Sequence, residues 1–197
     1  QMAALGLYQT RIEESEAGLQ WLDRAVTSAR AAGNLPAEIG ALAARAEARL
    51  RLGQLDRVLP DVEAAGSEAS SNPDAHRNSL RVAKLVHGET LLARGDARGA
   101  LRVVDELLVE IGYPQRSARR MVAMLALRAR AQVALGSKDA LSIAREALAV
   151  AEERAIDVEK SADVGGALVT LARAQRAAGE SDAARASRLP ALPGLLW

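Results

Sequence analysis

Apolar residues recur at steps of three and four along almost the whole chain, the period of a helix with one buried face. In "ALSIAREALAVA" (140–151), Ala140, Ala144, Ala147, Leu148 and Ala151 fall on one such face. No stretch keeps the two-residue alternation of a half-buried strand. The breaks are as regular as the runs. Gly53, Gly95, Gly136 and Gly179 each follow an apolar helical stretch and precede a short polar turn, where a helix C-terminus favours glycine. Pro36, Pro73 and Pro114 each stand where a new helix is expected to begin, because proline is tolerated in a first turn.

The breaks belong to a repeating frame. Gly88, Gly95, Ala100 and Leu107 define one copy; Ala129, Gly136, Ala140 and Ala147 define another, with one residue deleted in the turn. The frame returns at Ala46, Gly53, Val58 and Ala65, and at Ala172, Gly179, Ala184 and Ala191, with a weaker first copy at Gly6, Gly18 and Ala25. The last members, Ala25, Ala65, Leu107, Ala147 and Ala191, are spaced by 40, 42, 40 and 44 residues. Small side chains at fixed intervals let the two helices of a hairpin cross closely, and a larger residue would force them apart.

This frame resembles the tetratricopeptide (TPR) repeat, which keeps small residues at its eighth, twentieth and twenty-seventh positions. The usual aromatics of that family are mostly replaced by Leu, Val or Ala, and the period exceeds its usual 34 residues. The long period is similar to that of kinesin-light-chain and bacterial signalling repeats, as is "SADVGGALVTLARAQRAAG" (161–179). The resemblance implies an all-α solenoid of about five antiparallel helix pairs in a right-handed superhelix. The expected repeats are approximately 1–33, 34–72, 73–112, 113–156 and 157–189, followed by a tail at 190–197. A chain beginning at Gln1 is expected to be a segment of a longer protein.

Composition narrows the function more than it changes the fold. Cysteine is absent, which removes disulfides, thiolate catalysis and thiolate metal sites and fits a reducing cytoplasm. No apolar run approaches the roughly 18 residues of a membrane span. The net charge is +1, from 26 basic and 25 acidic residues, so bulk attraction to a polyanion has no basis. The arginine and alanine bias suggests a high-GC bacterial source. Phe is missing, and Tyr8, Trp21, Tyr113 and Trp197 are the only aromatics, leaving few platforms for stacked bases. A nucleic-acid partner is not expected.

Candidate chemistry is sparse. "GETLLARGDARGALRVVDELL" (88–108) holds three glycines and Arg94-Gly95-Asp96. A phosphate loop needs Lys and Ser or Thr after its glycines and a strand before them; this stretch has neither, and reads as a hairpin turn in which Asp96 starts the next helix. His76 and His87 are the only imidazoles. They form no His-Glu-x-x-His pair, and neither follows a Glu at the spacing of a di-iron helix. His87 takes the frame's seventh, usually packed position. No serine sits in a nucleophile elbow. The chain is therefore expected to be no enzyme and to carry no cofactor or metal.

Charge marks two regions. Arg116, Arg119, Arg120, Arg128 and Arg130 follow Pro114 without an intervening acid, and Asp105, Glu106 and Glu110 precede it. The first three arginines are expected in a helix's first turns and the acids near a helix C-terminus, both disfavoured by the macrodipole. The two groups relieve each other if they face across the Gly112-Tyr113 turn; the alternative is a patch for an anion or partner.

The second region follows from the TPR resemblance, in which the first helix of each pair lines a concave groove. Carried over position by position, the ninth residues are Glu47, Glu89, Arg130 and Arg173, and the twelfth are Leu50, Leu92, Val133 and Arg176. The fifth are Ala43, Leu85, Ala126 and Val169. The implied groove is acidic and apolar early and basic late, which suits a protein or peptide partner with an acidic segment, since Arg pairs carboxylates bidentately. The Lys and Asn positions of the family's carboxylate clamp are absent. The expectation is a non-catalytic, cytoplasmic protein-interaction scaffold; the alternative is a ligand-sensing, regulatory segment of a multidomain bacterial signalling protein or transcription regulator. "SRLPALPGLLW" (187–197) is expected to cap the last hairpin or to meet a neighbouring domain.

Overall fold

A computed structural model of the protein describes residues 16–114 and 120–188. Gly6, Arg116, Arg119, Ala191 and the expected tail at 190–197 lie outside the described residues. The described residues form nine helices and no strand: α1 (Glu16–Ala31), α2 (Leu35–Arg51), α3 (Leu55–Glu68), α4 (Arg77–Ala93), α5 (Ala97–Glu110), α6 (Met121–Ala134), α7 (Ala140–Arg154), α8 (Ala162–Ala177) and α9 (Ser181–Arg188). The chain divides into two compact units, residues 1–94 and 95–197.

In the first unit α2 packs on α1, α3 and α4, and α3 packs on α4. In the second, α6 packs on α5, α7 and α8, and α8 packs on α7 and α9. Alternate helices therefore form an inner row, α2 with α4 and α6 with α8, flanked by the intervening ones. This is the neighbour pattern of stacked helix hairpins, in which each pair meets only the next.

The frame residues sit at the crossings. Ala46, Val58, Ala65, Ala100, Leu107, Ala129 and Ala147 are fully buried, and Ala140, Ala172 and Ala184 nearly so. Around them, Ile39 and Leu42 of α2 pack with Val26, Ala65 and Ala83, while Leu19 and Leu22 pack on Ala44 and Ala48. In the second unit Val122 meets Ala151, Val164 and Ala167. An alanine-rich interface brings backbones close, and adding methylenes there typically costs about 1–3 kcal/mol.

Helix ends follow the sequence at most places. Gly136 has φ +69°, its N–H donates to Val133 O, and Ser137 N donates to Gln132 O at 3.0 Å; this paired closure of a helix C-terminus favours glycine. In the stretch 88–108 Gly95 has φ +87°, and Asp96 Oδ1 accepts the Gly99 N–H at 2.8 Å as the cap of α5. A Cβ at Gly99 would collide with that capping carboxylate. The three glycines of 88–108 are structural, and the stretch is a turn between helices.

Proline gave one misplaced start. Pro36 does lie in the first turn of α2, capped by Asn34. Pro73 lies in a turn, with Asn72 Oδ1 accepting the Ala75 N–H at 3.3 Å, and α4 begins only at Arg77. After Pro114 the next described helix begins at Met121, with Arg120 as its cap at φ +67°. Arg120 thus precedes that helix in a left-handed conformation rather than lying in its first turns as expected, and the stretch just after Pro114 lies outside the described residues. Pro60, which carried no expectation, lies inside α3.

Candidate functional site

The groove positions fall on the inner-row helices. In the first unit, Glu47 and Leu50 are on α2 and Leu85, Glu89 and Leu92 on α4, two helices in direct contact. Glu47 is buried and accepts from Arg51 one turn on, at 3.5 Å. Leu85 is buried; Leu50, Glu89 and Leu92 are half-buried. In the second unit, Arg130 and Val133 are half-buried on α6, while Arg173 and Arg176 are exposed on the adjoining α8. Neither Arg173 nor Arg176 has an ion-pair or hydrogen-bond partner among the described residues.

Other arginines are committed to the fold. Asp61 on α3 is 2 % exposed. Its carboxylate accepts from Arg45 Nε (3.0 Å), Arg45 Nη2 (2.6 Å) and Arg49 Nη1 (2.7 Å), both arginines being one turn apart on α2. Arg45 also reaches Asp23 on α1 at 2.8 Å. Burial opposes the charge on Arg45, but the Asp61 and Asp23 carboxylates outweigh it and raise its pKa. A buried Glu38 is held in the same way by Arg30 at 2.6 Å. This network was not foreseen from the sequence. Its signal was Asp61 interrupting the apolar stripe of Val58, Val62 and Ala65, opposite two arginines four residues apart.

Of the charges around the Gly112-Tyr113 turn, Arg128 and Asp105 come together. Arg128 Nε of α6 lies 2.8 Å from Asp105 Oδ1 of α5, off the line of a hydrogen bond. The Tyr113 hydroxyl donates to Glu146 Oε1 of α7. Partial burial, with the Glu146 hydrogen bond and charge, pushes the Tyr113 pKa up to about 12 against a smaller opposing effect of Arg128. Glu106 takes no ion pair among the described residues.

His76 ends the turn before α4 and His87 lies on α4; both are half-buried. Among the described residues no three His, Asp or Glu side chains are placed to hold a metal ion. No helix among them is long and apolar enough to cross a membrane.

The arrangement has close counterparts among solved structures. A protein described as a kinesin light chain of Podosopora anserina, with nearly identical TPR-like repeats, superposes with a TM-score of 0.66 at 16% sequence identity. A single-substitution variant of it superposes with a TM-score of 0.68, and both comparisons cover 98% of this chain and 92% of the other. The fold is a TPR-like helical-repeat solenoid. At that identity the TPR-like likeness concerns the backbone path and packing, and carries no side chain over. No family model and no curated protein matches the chain. Of the expected groove residues Glu47, Leu50, Leu85, Glu89, Leu92, Arg130, Val133, Arg173 and Arg176, the last two are the exposed ones.

Proposed function

We propose that this chain is a non-catalytic, cytoplasmic scaffold that holds an extended peptide or helix bearing acidic side chains, with α6 and α8 as the principal binding wall. The observation that carries the reading is the state of Arg173 and Arg176. Arg30, Arg45 and Arg49 are spent on buried carboxylates, whereas these two are exposed, one turn apart, and have no partner among the described residues. A guanidinium pair at that spacing suits carboxylates presented along an extended or helical ligand, which it can bind bidentately. Arg130 and Val133 on the adjoining helix supply a further cation and an apolar contact. The first unit offers Leu50, Leu92 and Glu89 at equivalent positions, while Glu47, already bonded to Arg51, adds little. A preformed helical frame limits the ordering cost of such binding.

The test is fluorescence anisotropy with labelled Glu- and Asp-rich peptides against a scrambled basic control. Saturable binding that weakens with salt is expected, and Arg173→Glu with Arg176→Glu should weaken it at least about tenfold. Unchanged binding by that double variant, at unchanged helicity, would place the acidic ligand elsewhere.

A further inference from the structure

The outer face of α5 carries an arrangement that neither the repeat packing nor the proposed peptide wall uses. Within its unit α5 packs only on α6. Its other side borders an open concavity of about 710 Å³, lined by Arg98, Leu101, Arg102, Asp105, Glu106, Val109 and Glu110. Val109 is 78% exposed, a large apolar side chain in water. Arg98, Arg102 and Glu106 are exposed and form no ion pair among the described residues.

The order of charges is informative. Both arginines lie toward the helix N-terminus and both glutamates toward its C-terminus, each the less favourable end for its sign. Within one helix only the weak i,i+4 attraction of Arg102 and Glu106 offsets this order. A second α5 running the opposite way does more: it places acids beside the arginines and arginines beside the acids, with the two helix dipoles opposed.

The charged pairs share one centre, and that of the apolar pair lies one residue further on. Arg102 and Glu106, and Arg98 and Glu110, are each symmetric about Val104; Leu101 and Val109 are symmetric about Asp105. One two-fold axis near these residues therefore brings Arg102 to Glu106, Arg98 to Glu110 and Leu101 to Val109 of a second copy. Asp105, which would approach its own mate at the axis, already has Arg128 at 2.8 Å in its own chain. This is the self-complementarity that an isologous contact requires.

We propose that the chain self-associates through antiparallel pairing of its α5 helices, a second copy of the chain being the occupant of this face. The contact is one helix face per copy, below the roughly 1,200 Å² of stable interfaces. It is therefore a reversible dimer that dissociates on dilution and weakens with salt.

The experiment is sedimentation velocity on the full chain and its variants across a concentration series, with helicity checked by circular dichroism. Arg98→Glu with Arg102→Glu makes the face wholly acidic, and Glu106→Arg with Glu110→Arg makes it wholly basic. Each double variant should raise the concentration of half-dimerisation at least about tenfold. An equimolar mixture of the two should form a heterodimer, and the variant carrying all four changes should dimerise again. Val109→Ser should weaken the dimer without altering charge. A parent chain that stays monomeric throughout, as it would if this face served a different protein, overturns the proposal. So does a dimer indifferent to the double variants, or a mixture that fails to pair.

Discussion

At the scale of single residues, the deciding question for each arginine is whether a buried carboxylate has claimed it. Asp61 takes three hydrogen bonds from Arg45 and Arg49 with its side chain 3% exposed, whereas Asp23, which also meets Arg45, is 54% exposed. Attraction between ions in water is largely cancelled by solvation, so exposed pairs contribute about 0–1 kcal/mol. Removing one partner of a buried pair leaves the other desolvated and unmatched, which costs about 3–5 kcal/mol. Asp61→Ala should accordingly lower the free energy of unfolding by several kcal/mol, and Asp23→Ala by no more than about 1 kcal/mol. Urea denaturation of the two variants checks this. Equal losses would mean that water reaches the Asp61 site.

At the scale of elements, one register position shows how far the sequence could be read. Three residues past the small position of the inner helix stand Arg49, Gln132 and Gln175; three past the small position of its partner stand Asp61, Ile143 and Ser187. The first pair is an ion pair at 2.7 Å, and in the last Ser187 donates to Gln175 Oε1 at 2.8 Å. The middle pair is mismatched: Gln132 Oε1 is buried without a hydrogen-bond partner, and Ile143 has none to offer. A buried acceptor left unsatisfied costs about 1–3 kcal/mol. Gln132→Met should therefore stabilise the protein by about 1 kcal/mol, raising its melting temperature by roughly 2–4 °C. Gln175→Met, which strands Ser187, should lower it. Thermal unfolding by circular dichroism decides, and shifts of the same sign would remove the argument from register. The small-residue frame was legible because close crossings admit few residue types. These polar pairs were not, because their partners lie on different helices and only the frame, once placed, brings them opposite. The helix start at Pro73 was misread for a related reason. Proline suits a turn before a helix as well as the helix's first turn, and the local sequence does not choose between them. For the candidate site, the frame supplied the inner-row positions but not their burial. Glu47 and Arg173 share a position, yet one is closed in by packing and the other open to solvent.

At the scale of the molecule, the packing pattern has a consequence for how stability is shared. Within its unit each inner helix touches the helices next to it in sequence and the next inner helix, and within neither unit does a flanking helix pack on the next flanking helix. In such arrays stability is approximately a sum of local terms and nearest-neighbour contacts, so damage is expected to spread a short way and fade. Asp61→Ala strikes the contact between α2 and α3, with α1 and α4 as its packed neighbours. Native-state hydrogen exchange should show the largest loss of protection in α2 and α3 and a smaller one in α1 and α4. The helices α7 and α8 should exchange nearly as in the parent, because opening free energies differ between contiguous segments of a fold. The alternative is a chain that opens only as one block, in which case every slowly exchanging amide would lose protection by the same factor. The same measurement on Gln132→Met, whose change lies on α6, supplies the converse. Protection should rise first in α6 and in α5, α7 and α8, the helices packed on it, while α2 and α3 stay as they were. Opposite local responses to the two variants would follow from nearest-neighbour coupling; a common response throughout would not.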